Sequence, residues 1–105
     1  MAAARSDAVA AEARQQAALL ASVRVIADGQ AALAAATRRQ AVLETRTVPQ
    51  ASQALDLARQ GFEAGKFGLL DVLDAQNALS DAQNDLIEAR LARVQAQAAL
   101  ERAAR

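Results

Sequence analysis

Bulky apolar residues recur every seven positions in the first half of the chain, at Leu19, Ile26 and Leu33. A small residue follows each three places later, at Ser22, Gly29 and Ala36. Steps of three and four keep side chains on one face of an α-helix, whereas a strand alternates every two. Ser6 can cap such a helix, with Asp7 facing the positive end of its dipole, and the pattern runs to about Thr47. Around Pro49 the alternation returns as Val48, Ala51, Leu55, Ala58, Phe62 and Gly65, displaced by one residue. Proline lacks an amide donor and crowds the preceding turn, so a kink or restart at Pro49 is the expected cause of the shift. Gly29 is read as a point where a neighbouring helix comes close.

The last third of the chain carries the clearest repeat. With a heptad opened at Val72, the a positions are Val72, Leu79, Leu86, Arg93 and Leu100, and the d positions are Ala75, Ala82, Ala89, Ala96 and Ala103. Large residues at a with only alanine at d describe a seam where two helix axes approach closely. Positions b and f form a second, partly apolar strip of Leu73, Ile87, Leu91, Val94 and Ala98, with Asn77, Ser80 and Asn84 nearer its start. Position e carries Gln76, Gln83, Arg90 and Gln97, while c and g carry Asp71, Asp74, Asp81, Asp85 and Glu88. At about 100° per residue the order around the helix is seam, glutamine face, second strip, acidic face. A simple two-helix hairpin needs one apolar seam. Two suit a helix with neighbours on both sides, such as a stave in a closed helical barrel.

The acidic row is segregated along the chain as well as around it. From residue 71 to 88 there are five acids and no Lys or Arg. Dipole matching accounts for Asp71 and Asp74, but it fades beyond the first turn and does not reach Asp81, Asp85 or Glu88. Like charges four apart cost a few tenths of a kcal/mol each, so helix stability does not explain the row.

Composition narrows the function classes. The chain has 105 residues and is 53% hydrophobic by class, but much of that share is alanine, and only two residues are aromatic. Alanine buries little area, so this is the composition of a long helix or coiled coil rather than a compact globule. Twelve basic and twelve acidic residues cancel, which gives no field for nucleic acid or an anionic membrane. Cysteine and histidine are absent, removing disulfides, the usual zinc sites and a histidine base. No pocket, nucleophile or aromatic platform is in prospect, so an enzyme is not expected, nor a cofactor. Carboxylates three apart on one exposed face read as a solvated surface, so no metal site is assigned. The N-terminus lacks the apolar run of a secretion signal, and charges interrupt every stretch long enough to span a membrane.

The turn between the two helical halves holds the unusual residues. Gly65 is suited to a left-handed helix stop, and Gly68 can precede a helix with Asp71 in its first turn. The predicted segments are a long helix over 1–48, a descending helix over 49–65, a tip at 66–68 and a returning helix over 69–105. Phe62 is placed on the seam just below the tip. Phe67 has no seam position and is expected to be exposed to a partner.

The stretch "VPQASQALDLARQGFEAGKFGLLDVLDAQNALSDAQNDLIEARLARVQAQAALERA" resembles the second periplasmic hairpin of the TolC-type outer-membrane efflux proteins. The core of the resemblance is the spacing of Phe62 and Gly65 followed by "LLDVLDAQNAL", while "AGKF" and "VPQA" resemble the CzcC-like heavy-metal branch. The resemblance implies an all-α fold: a long antiparallel hairpin that forms one part of a trimeric α-helical barrel beneath an outer-membrane β-barrel. It implies a passive conduit in a tripartite export system for heavy-metal cations or drugs. Its partners would be two further copies, a periplasmic adaptor and an inner-membrane pump, and membrane contact would come only through the missing β-barrel part.

Carried over by residue, Asp71 and Asp74 line the aperture at the tunnel's lower end, and Asp81, Asp85 and Glu88 continue that lumen surface. Gly65, Lys66 and Phe67 at the tip contact the adaptor. Many members have tyrosine where Phe62 stands, and some have a basic residue where Phe67 stands. Members run to several hundred residues with strands and a signal sequence, so this chain is expected to be an excised fragment or a truncated reading frame. The alternative reading from the residues alone is a stand-alone antiparallel coiled-coil module.

Overall fold

The computed structural model describes residues 2–105, and no strand occurs among them. Met1, the first residue of the predicted segment 1–48, lies outside the described residues. Helix α1 spans Ala2–Val42, a π turn follows at Leu43–Thr47, α2 spans Val48–Glu63, and α3 spans Leu69–Ala103. Alanine is the strongest helix former, and its abundance favours helix along the whole chain. α1, the π turn and α2 run on as one rod of 62 residues. At about 1.5 Å per residue the rod should be about 93 Å long. The molecule measures 93 × 20 × 14 Å. α3 folds back from the tip and packs along α2 and the lower part of α1, giving the all-α antiparallel hairpin that the heptads predict.

The seam lies where the periodicity puts it. On α3, Ala82, Leu86 and Ala89 are buried, Ala89 completely, and Val72, Ala75, Leu79, Arg93, Ala96, Leu100 and Ala103 are half-buried. Facing them, Leu43, Leu55 and Ala58 are buried, and Ile26, Gly29, Leu33, Ala36, Gln40, Val48 and Ala51 are half-buried. Gly29 does admit a close neighbour, since a Cβ there would stand 3.1 Å from Leu100 Cδ1.

The one-residue shift has a cause other than the expected kink or restart. Val48 donates its N–H to the carbonyl of Leu43, five residues back, which is the hydrogen bond of a π turn. Such a turn holds one residue more than an α turn, and that residue absorbs the displacement. Thr47 keeps helical angles (φ −65°, ψ −51°), and Pro49 sits in the first turn of α2 without interrupting the rod. The Thr45 hydroxyl donates to the Ala41 carbonyl at 2.6 Å alongside the widened turn.

Next to the apolar cluster of Leu43, Leu86, Ala89 and Val48 the seam becomes polar. Arg93 Nε donates to Gln40 Oε1 at 2.6 Å, and Gln40 Nε2 donates to Glu44 Oε2 at 3.3 Å. Arg90 reaches Glu44 Oε1 at 3.5 Å. That ion pair is about half exposed and contributes about 0–1 kcal/mol. The Arg93–Gln40 bond is partly buried and gives the guanidinium a partner inside the seam.

Beyond Ile26 the rod has no partner. Residues 2–25 are all exposed, including Leu19 at 61%, so the upstream seam positions Leu19 and Ser22 face solvent. α3 is 35 residues long, about 52 Å of helix against a 62-residue rod, and leaves this part uncovered. One 18-residue window of the rod, none of it buried, is apolar enough by length and mean hydropathy to cross a membrane. That window carries at most two charges, so it is compatible with the absence of an uncharged apolar run of spanning length.

Candidate functional site

Two features set the lower end of the hairpin apart, its tip and the acidic row that climbs from it. α2 ends in a Schellman turn. Gly65 takes a left-handed φ of 75°, its N–H donates to the Phe62 carbonyl at 3.0 Å, and the Lys66 N–H donates to the Gly61 carbonyl at 2.7 Å. The Phe67 N–H donates to the same carbonyl at 3.1 Å. α3 then starts from extended Gly68. Gly68 has no side chain to cap the helix, so only one arm of a capping box forms. Asp71 Oδ2 accepts the Gly68 N–H at 3.0 Å.

One aromatic ring sits differently from the sequence expectation and the other as expected. Phe62 is 46% exposed, because the seam ends at Ala58 and Gly61 and does not extend to it. Phe67 is exposed as expected, at 50%, with its ring resting on buried Gly61. Leu57, Gln60, Gly61, Ala64, Lys66 and Phe67 line a shallow groove of about 470 Å³.

Asp71, Asp74, Asp81, Asp85 and Glu88 are all exposed, on one stripe of α3. Among the described residues the ion pair present is Arg90–Glu44, so none of the five acids is paired. No three acidic side chains among the described residues come together as a metal cage. The structure thus separates the acids by task. Asp71 is engaged in closing the tip, while Asp74, Asp81, Asp85 and Glu88 make no hydrogen bond to a side chain or to the tip. Lys66 and Phe67 stand beside Gly65 at the extreme end of the molecule.

The second apolar strip of α3 is uncovered. Leu73 is 45% exposed, Ile87 60%, Leu91 56% and Val94 54%. Two functional details escaped the sequence reading. The polar contact of Arg93 with Gln40 was signalled by Gln40 falling seven after Leu33, in phase with Arg93 at an a position. The role of Gly61 was signalled only by a glycine within the last turn of a helix that already has Gly65 as its stop.

The described residues thus form an all-α hairpin with one alanine-rich seam, a second open apolar strip and an unpaired acidic row. The particular family follows from comparison with known proteins. The outer membrane efflux protein family model matches residues 1–104, and the chain belongs to that family. It is also similar to the cobalt-zinc-cadmium resistance protein CzcC of Cupriavidus metallidurans, with 54% identity over 41 residues, 39% of this chain and 10% of that protein. The matched stretch is thus a small part of that relative's length. No solved structure matches the chain.

Proposed function

We propose that the chain forms one wall segment of the periplasmic tunnel of an outer-membrane efflux channel, and that its acids select for cations. In this reading three full-length subunits close a helical barrel in the periplasm. The strip of Leu73, Ile87, Leu91 and Val94 meets a neighbouring helix, and Asp71, Asp74, Asp81, Asp85 and Glu88 face the lumen. Conduction is passive, with no bond made or broken. Carboxylates repeated three times around an axis lower the potential in a narrow pore and raise the local cation concentration. Gly65, Lys66 and Phe67 contact a periplasmic adaptor that couples the tunnel to an inner-membrane pump.

The observation that carries this reading is the row of five exposed carboxylates without a single cation between residues 71 and 88, held despite its cost to the helix. The uncovered strip beside it supports a second neighbour, which a stand-alone hairpin has no need for. Membership in an efflux family and the metal-resistance relative support cations, metal ions among them, as the cargo.

The test is ion selectivity of the full-length channel in planar bilayers. Because Asp71 also caps α3, Asp74→Asn is the cleaner variant. It should lower cation-over-anion selectivity, and adding Asp71→Asn should lower it further. Selectivity unchanged in the double variant would overturn the proposal.

A further inference from the structure

We infer that Gly61 is a positioning residue, the seat on which the Phe67 ring rests, and that the seated ring fixes the shape of the tip before any partner arrives. The Schellman turn needs a glycine only at Gly65, where φ is positive. Gly61 lies inside the last turn of α2, where glycine weakens a helix relative to alanine. No helical requirement accounts for it. The requirement comes from across the turn, since a Cβ on residue 61 would collide with Cγ and Cδ2 of Phe67.

Three contacts converge on this one residue. Its carbonyl accepts the N–H groups of both Lys66 and Phe67, and its α-carbon face receives the ring. Backbone and side chain of Phe67 are therefore held by the same glycine. The Cδ2 side of the ring is covered and the rest stays open, which matches the half exposure of Phe67 and the burial of Gly61. The Lys66 backbone is held by the same carbonyl, between Gly65 and the seated ring. A surface held in one shape loses less conformational entropy on docking than a mobile one. The value of this for docking rests on the reading of the tip as an adaptor contact. The geometry itself is tested without any partner.

The experiment is nuclear magnetic resonance on the 105-residue chain and its variants. The Gly61 Hα signals should be displaced by the ring current of Phe67. Phe67→Leu should abolish that shift, and Phe67→Tyr, which keeps a ring, should retain it. In Gly61→Ala the obstacle is a side chain that can swing away, so the helix survives and the ring leaves. Far-ultraviolet helicity should then be unchanged, while exchange of the Lys66 and Phe67 amides speeds up by about tenfold. Gly61 signals that do not respond to Phe67→Leu, or amide exchange unaltered in Gly61→Ala, would overturn the inference. If the tip docks no adaptor, these signals remain, and only the docking reading falls.

Discussion

Gly65 and Asp71 show how much a single residue decides at the tip. Gly65 holds φ at 75°, a conformation that costs an L residue about 1–2 kcal/mol. Gly65→Ala should therefore destabilise the hairpin by about 1 kcal/mol, and Gly65→Asn by less, since asparagine tolerates the left-handed region. Thermal melting of the two variants beside the parent chain checks the order, and equal melting of Ala and Gly at this position would refute it. Residue type alone made this role readable, because few residues other than glycine adopt that angle. Asp71 was readable as a helix-start acid for the same reason. The seat at Gly61 was not, because its cause is a ring six residues further on that reaches back only once the turn has formed.

Among the elements, α3 was legible in full. A strict repeat of seven on a rigid helix leaves no freedom over which face is buried, and each a and d position is withdrawn from solvent. The slip of one residue between Leu33 and Leu55 was legible too, but its form was not. A kink at Pro49 and a π turn leave the same sequence mark, and the choice of a carbonyl five residues back is made by packing on both sides of the turn. This gives a test by deletion. Without Thr47 the seam would read 26, 33, 40, 47 and 54 in an unbroken α-helix, with the former Val48 and Leu55 in phase. The shortened chain should keep its hairpin and melt no lower than the parent, by circular dichroism. Loss of the hairpin would mean that the π turn contributes more than the spare residue.

For the molecule as a whole, the core is small. Among the described residues six hydrophobic residues are buried, and three of them are alanine. At about 25 cal/mol per Å² such a seam removes too little area to hold two helices firmly by itself. Meanwhile Leu20 at 70%, Leu57 at 62% and Ile87 at 60% remain exposed on other faces. The free chain should therefore self-associate, with a melting temperature that rises with protein concentration. Sedimentation with melts at several concentrations decides it. A monodisperse monomer with a sharp melt that ignores concentration would contradict the expectation. Chain-level assembly was only partly legible, since periodicity reveals that a second strip wants a neighbour but not which surface supplies it.

The alanine row has a drawback that the polar contact beside it answers. Teeth of equal size mesh equally well after a slide of one heptad, so the row by itself hardly says how far along the rod α3 should lie. Sliding would bring Arg93 opposite Leu33 or Val48 instead of Gln40. A partly buried guanidinium stripped of its hydrogen bond costs about 1–3 kcal/mol or more. The Gln40–Arg93 contact is thus the index mark on an otherwise uniform ruler, and it sets how far along the rod every acid of α3 stands.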